Sequence, residues 1–438
     1  MTYTIKIKKG LDLPISGVAE RHVTDARCIA LYAVKPTDVT GFTPRLLVAE
    51  GDIVEAGQPL LADKNDQRLT LPSPVSGTVT AIVRGEKRKL MEVVVSSQTS
   101  TASHSSQANL NPDSPCWWMI KERPFGTIAN PDHHPKGIFV SLRDTNPLAP
   151  DLDYVLRGRE HEFEAGVKAL ETYSKVYCVK AEGPHPAGNV GTQIAAISPI
   201  NKGECVWTIG AQDVANIGRW CMTGEYRPER IIAVGGPAAK APHYYRVTVG
   251  ACLKSISEAQ LMNEQYPKIP DMTAQTRVIS GSPLNGKAVA ADGFLGMYDQ
   301  QVCFLEEGDK HEVLGWIMPG LKKYSFSRTF LSGFINLIPS IGPFRDMIPT
   351  MEFDTNLHGG RRPLMFTGDM ERVFPFNIYP LQLIKACIVG DVDLQEKLGI
   401  YEVEPEDFAL CEFIDPSKTE IQTIIREALE VLRKETVA

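Results

Sequence analysis

Two stretches decide the fold of this chain: Val48-Ala49-Glu50-Gly51-Asp52-Ile53-Val54-Glu55-Ala56-Gly57-Gln58-Pro59-Leu60 and Leu71-Pro72-Ser73-Pro74-Val75-Ser76-Gly77-Thr78-Val79-Thr80-Ala81-Ile82. In the first stretch, Gly51-Asp52 and Gly57-Gln58 are turn pairs six residues apart. In the second, residues 72–77 form a turn cluster that leads into a strand of alternating polarity, residues 78–83. This layout predicts a small, flattened β-barrel.

The paired half-motifs resemble the barrel-sandwich hybrid of lipoyl and biotin carrier domains. Carriers hold a modifiable lysine at a tight hairpin tip just before the second half-motif, and the nearest candidate here is Lys64. Its hairpin, Asp63-Lys64-Asn65-Asp66-Gln67-Arg68, is longer than the carrier pattern and crowded with charge. We therefore interpret Lys64 as a solvated hairpin lysine and keep an acyl or carboxyl carrier as an alternative function.

Length and composition indicate a multidomain globular protein. The chain has 438 residues, which at ~150 residues per domain suggests about three domains. Its net charge of -7 argues against a general nucleic-acid binder. The N-terminus lacks the apolar core of a signal peptide, so we expect no export. No run approaches the ~18 apolar residues that span a bilayer, so we expect any membrane association to be peripheral or through a partner.

Sequence motifs for catalysis or metal binding are scarce. The 9 cysteines are dispersed without a C-x-x-C pair, which is typical of reduced thiols in a cytoplasmic protein. P-loop, G-x-S-x-G and H-E-x-x-H motifs are absent, so we assign no catalytic residue. His133 and His134 lie in a proline-bounded loop, and adjacent histidines are poorly placed to share one metal ion. A plain polar loop is the favoured interpretation.

Composition and periodicity divide the chain into four expected domains. Strands at residues 137–142, 175–179 and 230–234 alternate with helical periodicity, for example at residues 154–170, which predicts a three-layered α/β sheet. Residues 96–112 are polar and are interpreted as a linker. The domains are residues 1–105, N-terminal strands plus the barrel; 113–255, a Rossmann-like α/β domain; 256–325, a β-rich module of β-grasp size; and 326–438, a helical C-terminal domain.

The C-terminal domain carries two clear helix patterns. Residues 380–389 have one apolar face, and residues 421–432 repeat apolar side chains at helical spacing. Ser417-Lys418-Thr419-Glu420 precedes the second pattern, just after Pro416, and has the sequence of a capping box.

Two glycine-rich segments are candidates for ligand binding. Gly235-Gly236 ends a buried strand, but Pro237 spoils the glycine spacing of a dinucleotide site, which favours a plain turn. Residues 183–193 contain three glycines and two prolines, with His185 and Thr192 as polar groups. A structural loop is the favoured interpretation there, and a ligand loop is the alternative.

Residues 329–344 contain no charged side chain, are rich in apolar residues and end just before Arg345. The stretch is too short and too interrupted by proline to span a bilayer. Two interpretations stay open: an exposed patch that docks onto a membrane protein of a complex, or a buried connection between domains.

Taken together, several segments resemble the A subunit of the bacterial sodium-translocating NADH:quinone oxidoreductase. They are Ile5 to Gly17, the two half-motifs, Asp144-Thr145-Asn146-Pro147-Leu148-Ala149, Gly183-Pro184-His185-Pro186-Ala187-Gly188 and Leu331-Ser332-Gly333-Phe334. The resemblance implies a peripheral subunit on the cytoplasmic face of the bacterial inner membrane, in a complex that passes electrons from NADH to quinone and exports sodium. It also implies that the β-rich module is a β-grasp of the SLBB type, and that the partners are integral-membrane and other subunits, with no nucleic acid.

The resemblance extends to subunits that bind flavin or iron–sulfur clusters, and the C-terminus differs from theirs. Those subunits place cysteines in C-x-x-C and C-P patterns before the last helix, whereas Cys411 stands alone and Asp415 precedes Pro416. One thiolate cannot hold a four-iron cluster. We therefore expect no flavin, metal or covalent cofactor in this chain, with NADH, flavins and the iron–sulfur centre in partner subunits. A stand-alone NADH-binding protein is the remaining alternative.

If the chain contributes to quinone reduction, a quinone needs a mainly apolar slot with one or two hydrogen-bond donors. His185 or Thr192 is the expected donor. The expected apolar wall comprises Phe330, Phe334, Ile335 and Leu337.

Overall fold

The computed structural model of the chain describes residues 2–27, 29–98, 108–261, 276–308, 318–320, 323–326, 330 and 350–437. The predicted linker is thus described only at its two ends, and the predicted apolar stretch 329–344 only at Phe330. Over the described part of the chain, no helix combines the length and the apolar character that a membrane crossing requires.

The strands are numbered in chain order. They are β1 (Thr2–Lys6), β2 (Glu20–Asp25), β3 (Leu31–Val34), β4 (Pro44–Leu46), β5 (Ile53–Val54), β6 (Pro59–Asp63), β7 (Thr70–Pro72), β8 (Gly77–Arg84), β9 (Leu90–Ser97), β10 (Lys121–Arg123), β11 (Thr127–Ile128), β12 (Ile138–Ser141), β13 (Val176–Glu182), β14 (Val206–Gly210), β15 (Glu229–Gly235), β16 (His243–Thr248), β17 (Thr276–Ser280), β18 (Lys287–Val289) and β19 (Gln301–Glu306).

The α-helices are numbered in the same way. They are α1 (Leu152–Val155), α2 (Glu160–Glu171), α3 (Val190–Ile197), α4 (Ala211–Thr223), α5 (Lys254–Leu261), α6 (Met370–Val373), α7 (Pro380–Val389), α8 (Val392–Lys397), α9 (Ala409–Ile414) and α10 (Ile421–Val437).

The two half-motifs face each other in a barrel of two small antiparallel sheets, ordered β3-β9-β8-β5 and β4-β6-β7. Gly51 N donates to Val79 O at 2.8 Å, and Val79 N donates back to Asp52 O at 2.9 Å. Gly57 N donates to Ser73 O at 2.9 Å. Because Gly51 and Gly57 have φ of +92° and +87°, glycine is the residue these turns favour. The predicted β-barrel is confirmed.

The first six-stranded sheet is ordered β1-β13-β12-β14-β10-β11, and its first four strands are parallel. Successive side chains of a strand point to opposite faces. Ile138 and Val140 pack in the cluster that includes Leu170 of α2, whereas Phe139 packs in the cluster that includes Ile194 of α3. Helices therefore cover both faces, and the predicted three-layered arrangement is confirmed.

The second six-stranded sheet is ordered β18-β17-β19-β15-β16-β2. Its strand β15 contains residues 230–234, which the sequence placed in the α/β sheet, and that placement is wrong. The strand pairs with β16 and β19 instead, and all seven of its residues are buried. A continuous buried run suits a central strand of any sheet, so the pattern did not identify the correct one.

The N-terminal strands leave the barrel and join the other two sheets. Strand β1 pairs in parallel with β13, and β2 pairs in parallel with β16. The chain before the barrel thus ties the α/β sheet to the second sheet.

The C-terminal helices pack around a separate apolar cluster that includes Leu383 and Ile384 of α7 and Ile421 and Ile425 of α10. Both predicted helices are confirmed. The predicted capping box is wrong, because Lys418 has a φ of +59° and α10 begins only at Ile421. The amide of Gln422 donates instead to Oε2 of Glu412, on the preceding helix, at 2.7 Å.

Candidate functional site

Strands β12 and β13 lie side by side, and the helices that follow them, α2 and α3, lie on opposite faces of the sheet. Ligands of open α/β sheets bind at such a point, beyond the carboxyl ends of the strands. Here the two strands end at Ser141 and Glu182. The loops that follow them, residues 142–151 and 183–189, form the candidate site.

A cavity of about 360 Å³ lies beside this edge of the sheet. Its lining includes Arg143, Asp144, Asp153, Lys180 and Glu182. The Lys180 Nζ and Asp153 Oδ2 atoms form an ion pair at 2.6 Å, and burial raises the pKa of Asp144 above its ordinary value. A wall with this many charges suits a small polar ligand rather than the apolar ring expected of a quinone.

The predicted loop around His185 is held between the N-terminal segment and the loop after β12. The backbone N–H of His185 donates to Asp12 Oδ1 at 2.8 Å, and the His185 carbonyl accepts from Leu11 N at 2.7 Å. The ring Nδ1 lies 3.3 Å from Thr145 Oγ1, and the bond to Pro186 is cis. Three segments distant in sequence therefore position this histidine.

Burial determines the charge of His185. The residue is 1% exposed, and desolvation lowers its pKa to about 4. It is a neutral imidazole at physiological pH, able to donate one hydrogen bond and accept another. The backbone at Gly10 packs directly against the backbone of His185, because a Cβ added to Gly10 would lie 2.1 Å from the His185 carbonyl oxygen.

Thr192 lies at the start of α3, among buried polar groups. The Thr192 Oγ1 atom and both polar atoms of the Asn189 side chain have no hydrogen-bond partner and are buried. Gln193 Nε2 donates to Ser141 Oγ at 2.7 Å. Unpaired buried groups cost free energy, and they can bind a ligand carbonyl or a water molecule.

The predicted quinone-lining residues are only partly described. Phe330 is half-buried, with its backbone N 3.4 Å from Ser325 Oγ and with Lys323 Nζ 5.3 Å from its ring centroid. Both of these neighbours belong to its own segment of the chain. The other three lining residues, Phe334, Ile335 and Leu337, lie outside the described residues, so the lining stays a prediction.

Residues that the sequence did not single out adjoin the His185 loop. Tyr324 packs against Phe353 and Phe413, with ring centroids 5.4 Å and 5.7 Å away. Burial, aided by the nearby Asp12 carboxylate, raises the pKa of Tyr324 to about 12. Because Asp12 also accepts the His185 N–H, the aromatic cluster and the histidine share one neighbour. A single tyrosine carries no pattern that could have identified it.

The segment that follows the predicted apolar stretch returns to the same N-terminal segment. Met351 N donates to Pro14 O at 2.7 Å, and Ser16 N donates to Met351 O at 3.0 Å. The described residues on both sides of 331–349, Tyr324 and Met351, thus contact or adjoin the chain from Leu11 to Ser16.

The Gly235-Gly236 turn has a structural explanation. Gly236 N donates to Gly17 O at 2.9 Å, and a Cβ on Gly17 would lie 2.2 Å from Gly236 O. A Cβ on Gly235 would in turn lie 2.3 Å from Gly17 O. Two backbones cross where these glycines meet, so the space that a dinucleotide phosphate would need is filled by the chain itself.

The Lys64 hairpin is docked on the α/β domain. Lys64 is exposed, and its backbone N donates to Thr43 O at 2.9 Å. Arg68 Nη2, at the base of the hairpin, lies 2.7 Å from both Asp66 Oδ2 and Asp132 Oδ2. A hairpin held by ion pairs at its base favours the solvated-lysine interpretation over a swinging arm.

Cys411, the isolated cysteine of the C-terminal domain, lies on α9 in the helical core. It is 0% exposed, and burial raises the pKa of its thiol well above the ordinary value. The thiol therefore behaves as a small apolar side chain.

Family models match three consecutive parts of the chain. The NqrA N-terminal barrel-sandwich hybrid domain matches residues 5–98, the NqrA second alpha/beta domain matches 104–182 and 171–226, and the NQRA C-terminal domain matches 231–291. The last match begins within β15, in agreement with the place of that strand in the second sheet. Among solved structures, an air-oxidized NAD+-reducing [NiFe]-hydrogenase covers 40% of this chain and 41% of its own, with 11% identity and a TM-score of 0.28, too low to support any conclusion.

Curated relatives match over nearly the whole chain. A protein of Rhodopirellula baltica is 37% identical over 98% of both chains. Proteins of Pasteurella multocida and Neisseria meningitidis serogroup B are each 36% identical over 98% of this chain and 100% of their own. Each of the three is named as the A subunit of a Na(+)-translocating NADH-quinone reductase. Identity at this level over this length, with three matching domains, means that the chain belongs to the NqrA family, the A subunits of the Na+-translocating NADH-quinone reductase.

Proposed function

We propose that this chain is a peripheral component of the Na+-translocating NADH-quinone reductase, on the cytoplasmic face of the bacterial inner membrane. It contributes to quinone reduction or to assembly of the complex and acts as part of that enzyme, not alone. Flavins, the iron–sulfur centre and the NADH site belong to partner subunits. The near full-length similarity to relatives named as the A subunit carries this proposal.

The quinone contact is proposed beside the buried His185 loop rather than in the charged cavity. An apolar cluster containing Leu13 and Ile15, with Leu11, Tyr324, Phe353 and Phe413 packed against it, adjoins that loop. Such a cluster offers the apolar wall that a quinone ring and tail require. Neutral His185, Thr192 and the Tyr324 hydroxyl are the candidate donors. Phe330, Phe334, Ile335 and Leu337 complete the proposed wall.

Membership of the complex is tested by purifying the chain from native membranes and identifying the proteins that accompany it. We expect integral-membrane subunits in stoichiometric amounts. The isolated chain should show no flavin or iron absorbance. A stoichiometric flavin spectrum in the isolated chain would contradict the assignment of the cofactors to partner subunits.

The quinone role is tested by labelling the purified complex with a photoreactive quinone. We expect label in this chain, and less label in the Tyr324→Phe and His185→Ala variants. Tyr379→Phe is the matched control, because Tyr379 is 67% exposed and lies outside the cluster. If the complex assembles but the label is found only in other subunits, the quinone role is wrong and the assembly role remains.

A further inference from the structure

Glu122, His133 and Cys205 meet at one end of the first sheet, although the sequence motif suggested only His134 as a neighbour for His133. Glu122 is on β10, His133 is in the loop after β11, and Cys205 directly precedes β14. Their ligand atoms, one from each side chain, all lie within 4.8 Å of one another. Among the residues that the structure describes, they are the one group of this kind.

The carboxylate is held in a fixed orientation. Glu122 Oε2 accepts from Trp207 Nε1 at 2.9 Å and from Asn130 N at 3.4 Å. Its other oxygen, Oε1, faces His133 Nδ1 at 2.8 Å. Glu122 is 8% exposed. Because its Oε2 already accepts two hydrogen bonds, Oε1 is the oxygen available to a metal ion. Hydrogen bonds from neighbouring groups that orient a ligand in this way are typical of metal sites.

The loop that carries His133 is also fixed in place. Asp132 N donates to Asn130 Oδ1 at 2.9 Å, and His133 N donates to Asn130 O at 3.1 Å. Asp132 forms the ion pair with Arg68 of the barrel hairpin. Both nitrogens of the ring have neighbours, because Nε2 lies 3.4 Å from Asn130 Nδ2. The loop contacts therefore orient the ring towards Glu122 before any metal ion binds.

We propose that Glu122 Oε1, His133 Nδ1 and Cys205 Sγ bind one divalent transition-metal ion of the Zn²⁺ type. One nitrogen, one sulfur and one oxygen ligand suit Zn²⁺ or Co²⁺, whereas Na⁺, Mg²⁺ and Ca²⁺ prefer oxygen ligands throughout. The ion takes the place of the proton between His133 Nδ1 and Glu122 Oε1; the ring stays neutral with its proton on Nε2, and the thiol proton of Cys205 leaves to solvent. His133 is 52% exposed at its side chain, which leaves the fourth position open to water or to a ligand from another protein of the complex.

The bound ion would join three parts of the fold. It links β10, the residue before β14 and the loop after β11, whose Asp132 pairs with Arg68 of the barrel hairpin. The site is distinct from the His185 loop, and it does not depend on the proposed quinone role.

The test is titration of the tag-free, chelator-treated full chain with Co²⁺, followed by Zn²⁺ competition. We expect one Co²⁺ per chain, a thiolate-to-cobalt absorption band, displacement by Zn²⁺ and no displacement by Na⁺ or Mg²⁺. Cys205→Ser should abolish the band. His133→Ala removes a direct ligand, so it should weaken binding by more than the roughly 10- to 100-fold that loss of an outer-shell partner costs. His134→Ala, an exposed neighbour outside the group, should bind as the wild type does.

Circular dichroism and the melting temperature show whether each variant is folded. His133 is the decisive position, because its side chain is half-exposed and its loss leaves the bonds of Glu122 to Trp207 intact. Absence of Co²⁺ binding by the wild-type chain would overturn the proposal. So would equal affinity in the wild type, Cys205→Ser and His133→Ala.

Discussion

Arg123 on β10 and Asp407 in the C-terminal domain form an ion pair with both side chains 0% exposed, Nη2 lying 2.9 Å from Oδ2. Arg123 Nε also lies 3.3 Å from Glu404 Oε1. The pair packs directly against Gly191 at the start of α3. A Cβ added to Gly191 would lie 2.4 Å from Arg123 Nη1 and 2.5 Å from Asp407 Oδ1. One buried ion pair therefore connects the α/β sheet, the C-terminal helices and the helix that follows the candidate site.

Arg123→Met should destabilise the protein strongly. Burial raises the pKa of Asp407, and the Arg123 charge opposes that shift, so removing Arg123 leaves an uncompensated buried carboxyl group. We expect a loss of about 3–5 kcal/mol in the free energy of unfolding, the usual cost of breaking a buried pair. Urea unfolding of the full chain, followed by circular dichroism, measures it.

Arg68→Met is the matched control for that experiment. Arg68 pairs with Asp132 at 2.7 Å, but the two side chains are 43% and 70% exposed. Exposed pairs contribute about 0–1 kcal/mol, so the loss should be small. Equal losses in the two variants would mean that the burial of Arg123 has no energetic consequence.

Gly17→Ala should destabilise the contact between the N-terminal segment and the end of β15. Gly17 has a φ of +84°, and an added Cβ would lie 2.2 Å from Gly236 O, a backbone atom that cannot move alone. The strain of positive φ costs about 1–2 kcal/mol, and overpacking adds about 1–3 kcal/mol. Gly51→Ala separates the two effects, because Gly51 has a φ of +92° and nothing within 4 Å of the added Cβ. Thermal unfolding that ranks the two variants equally would refute the backbone crossing.

Local patterns account for what the sequence predicted correctly. The barrel follows from glycine turns and alternating strands within residues 46–83, and the helix of residues 421–437 follows from its own periodicity. Long-range pairing accounts for the errors. Strand β15 is a buried run that either sheet could accommodate, and the cap of α10 is Glu412 of another helix rather than Ser417.

The candidate site also combines a feature that local sequence predicts with neighbours that only long-range packing creates. Glycine and proline spacing marked the His185 loop as a candidate, because backbone freedom is a local property. The neighbours of that loop, Asp12 and Tyr324, come from segments far away in the chain and carry no motif. His133 is similar: its partner Cys205 becomes a neighbour only once β14 pairs with β10.

Lys64 should carry no covalent modification. Its backbone donates to Thr43, and Asp63 Oδ1 accepts from Asn65 N at 2.8 Å, so the tip is held by its own hydrogen bonds. A carrier lysine lies at the tip of a tight hairpin, where a modifying enzyme can bind it. Intact mass of the chain purified from its native cells should equal the sequence mass. A mass increase that Lys64→Ala removes would restore the carrier function.

The stability of the protein should fall between pH 7 and pH 5 because of His185. Its pKa is about 4 in the folded chain against an ordinary value of 6.5, so within this interval the unfolded chain binds a proton that the folded chain does not. The stability that depends on the neutral ring is therefore fully present above pH 6.5 and is lost as the pH falls towards 4. Linkage gives a loss of about 2 kcal/mol at pH 5.

His185→Gln isolates this contribution from the carboxylates that titrate at lower pH. The variant should be less stable at pH 7, because the buried ring is lost, but its unfolding free energy should change by about 2 kcal/mol less between pH 7 and pH 5. His134→Gln, at an exposed position, should keep the wild-type dependence. If His185→Gln and the wild type give parallel urea-unfolding curves across this range, the imidazole is not buried in its neutral form.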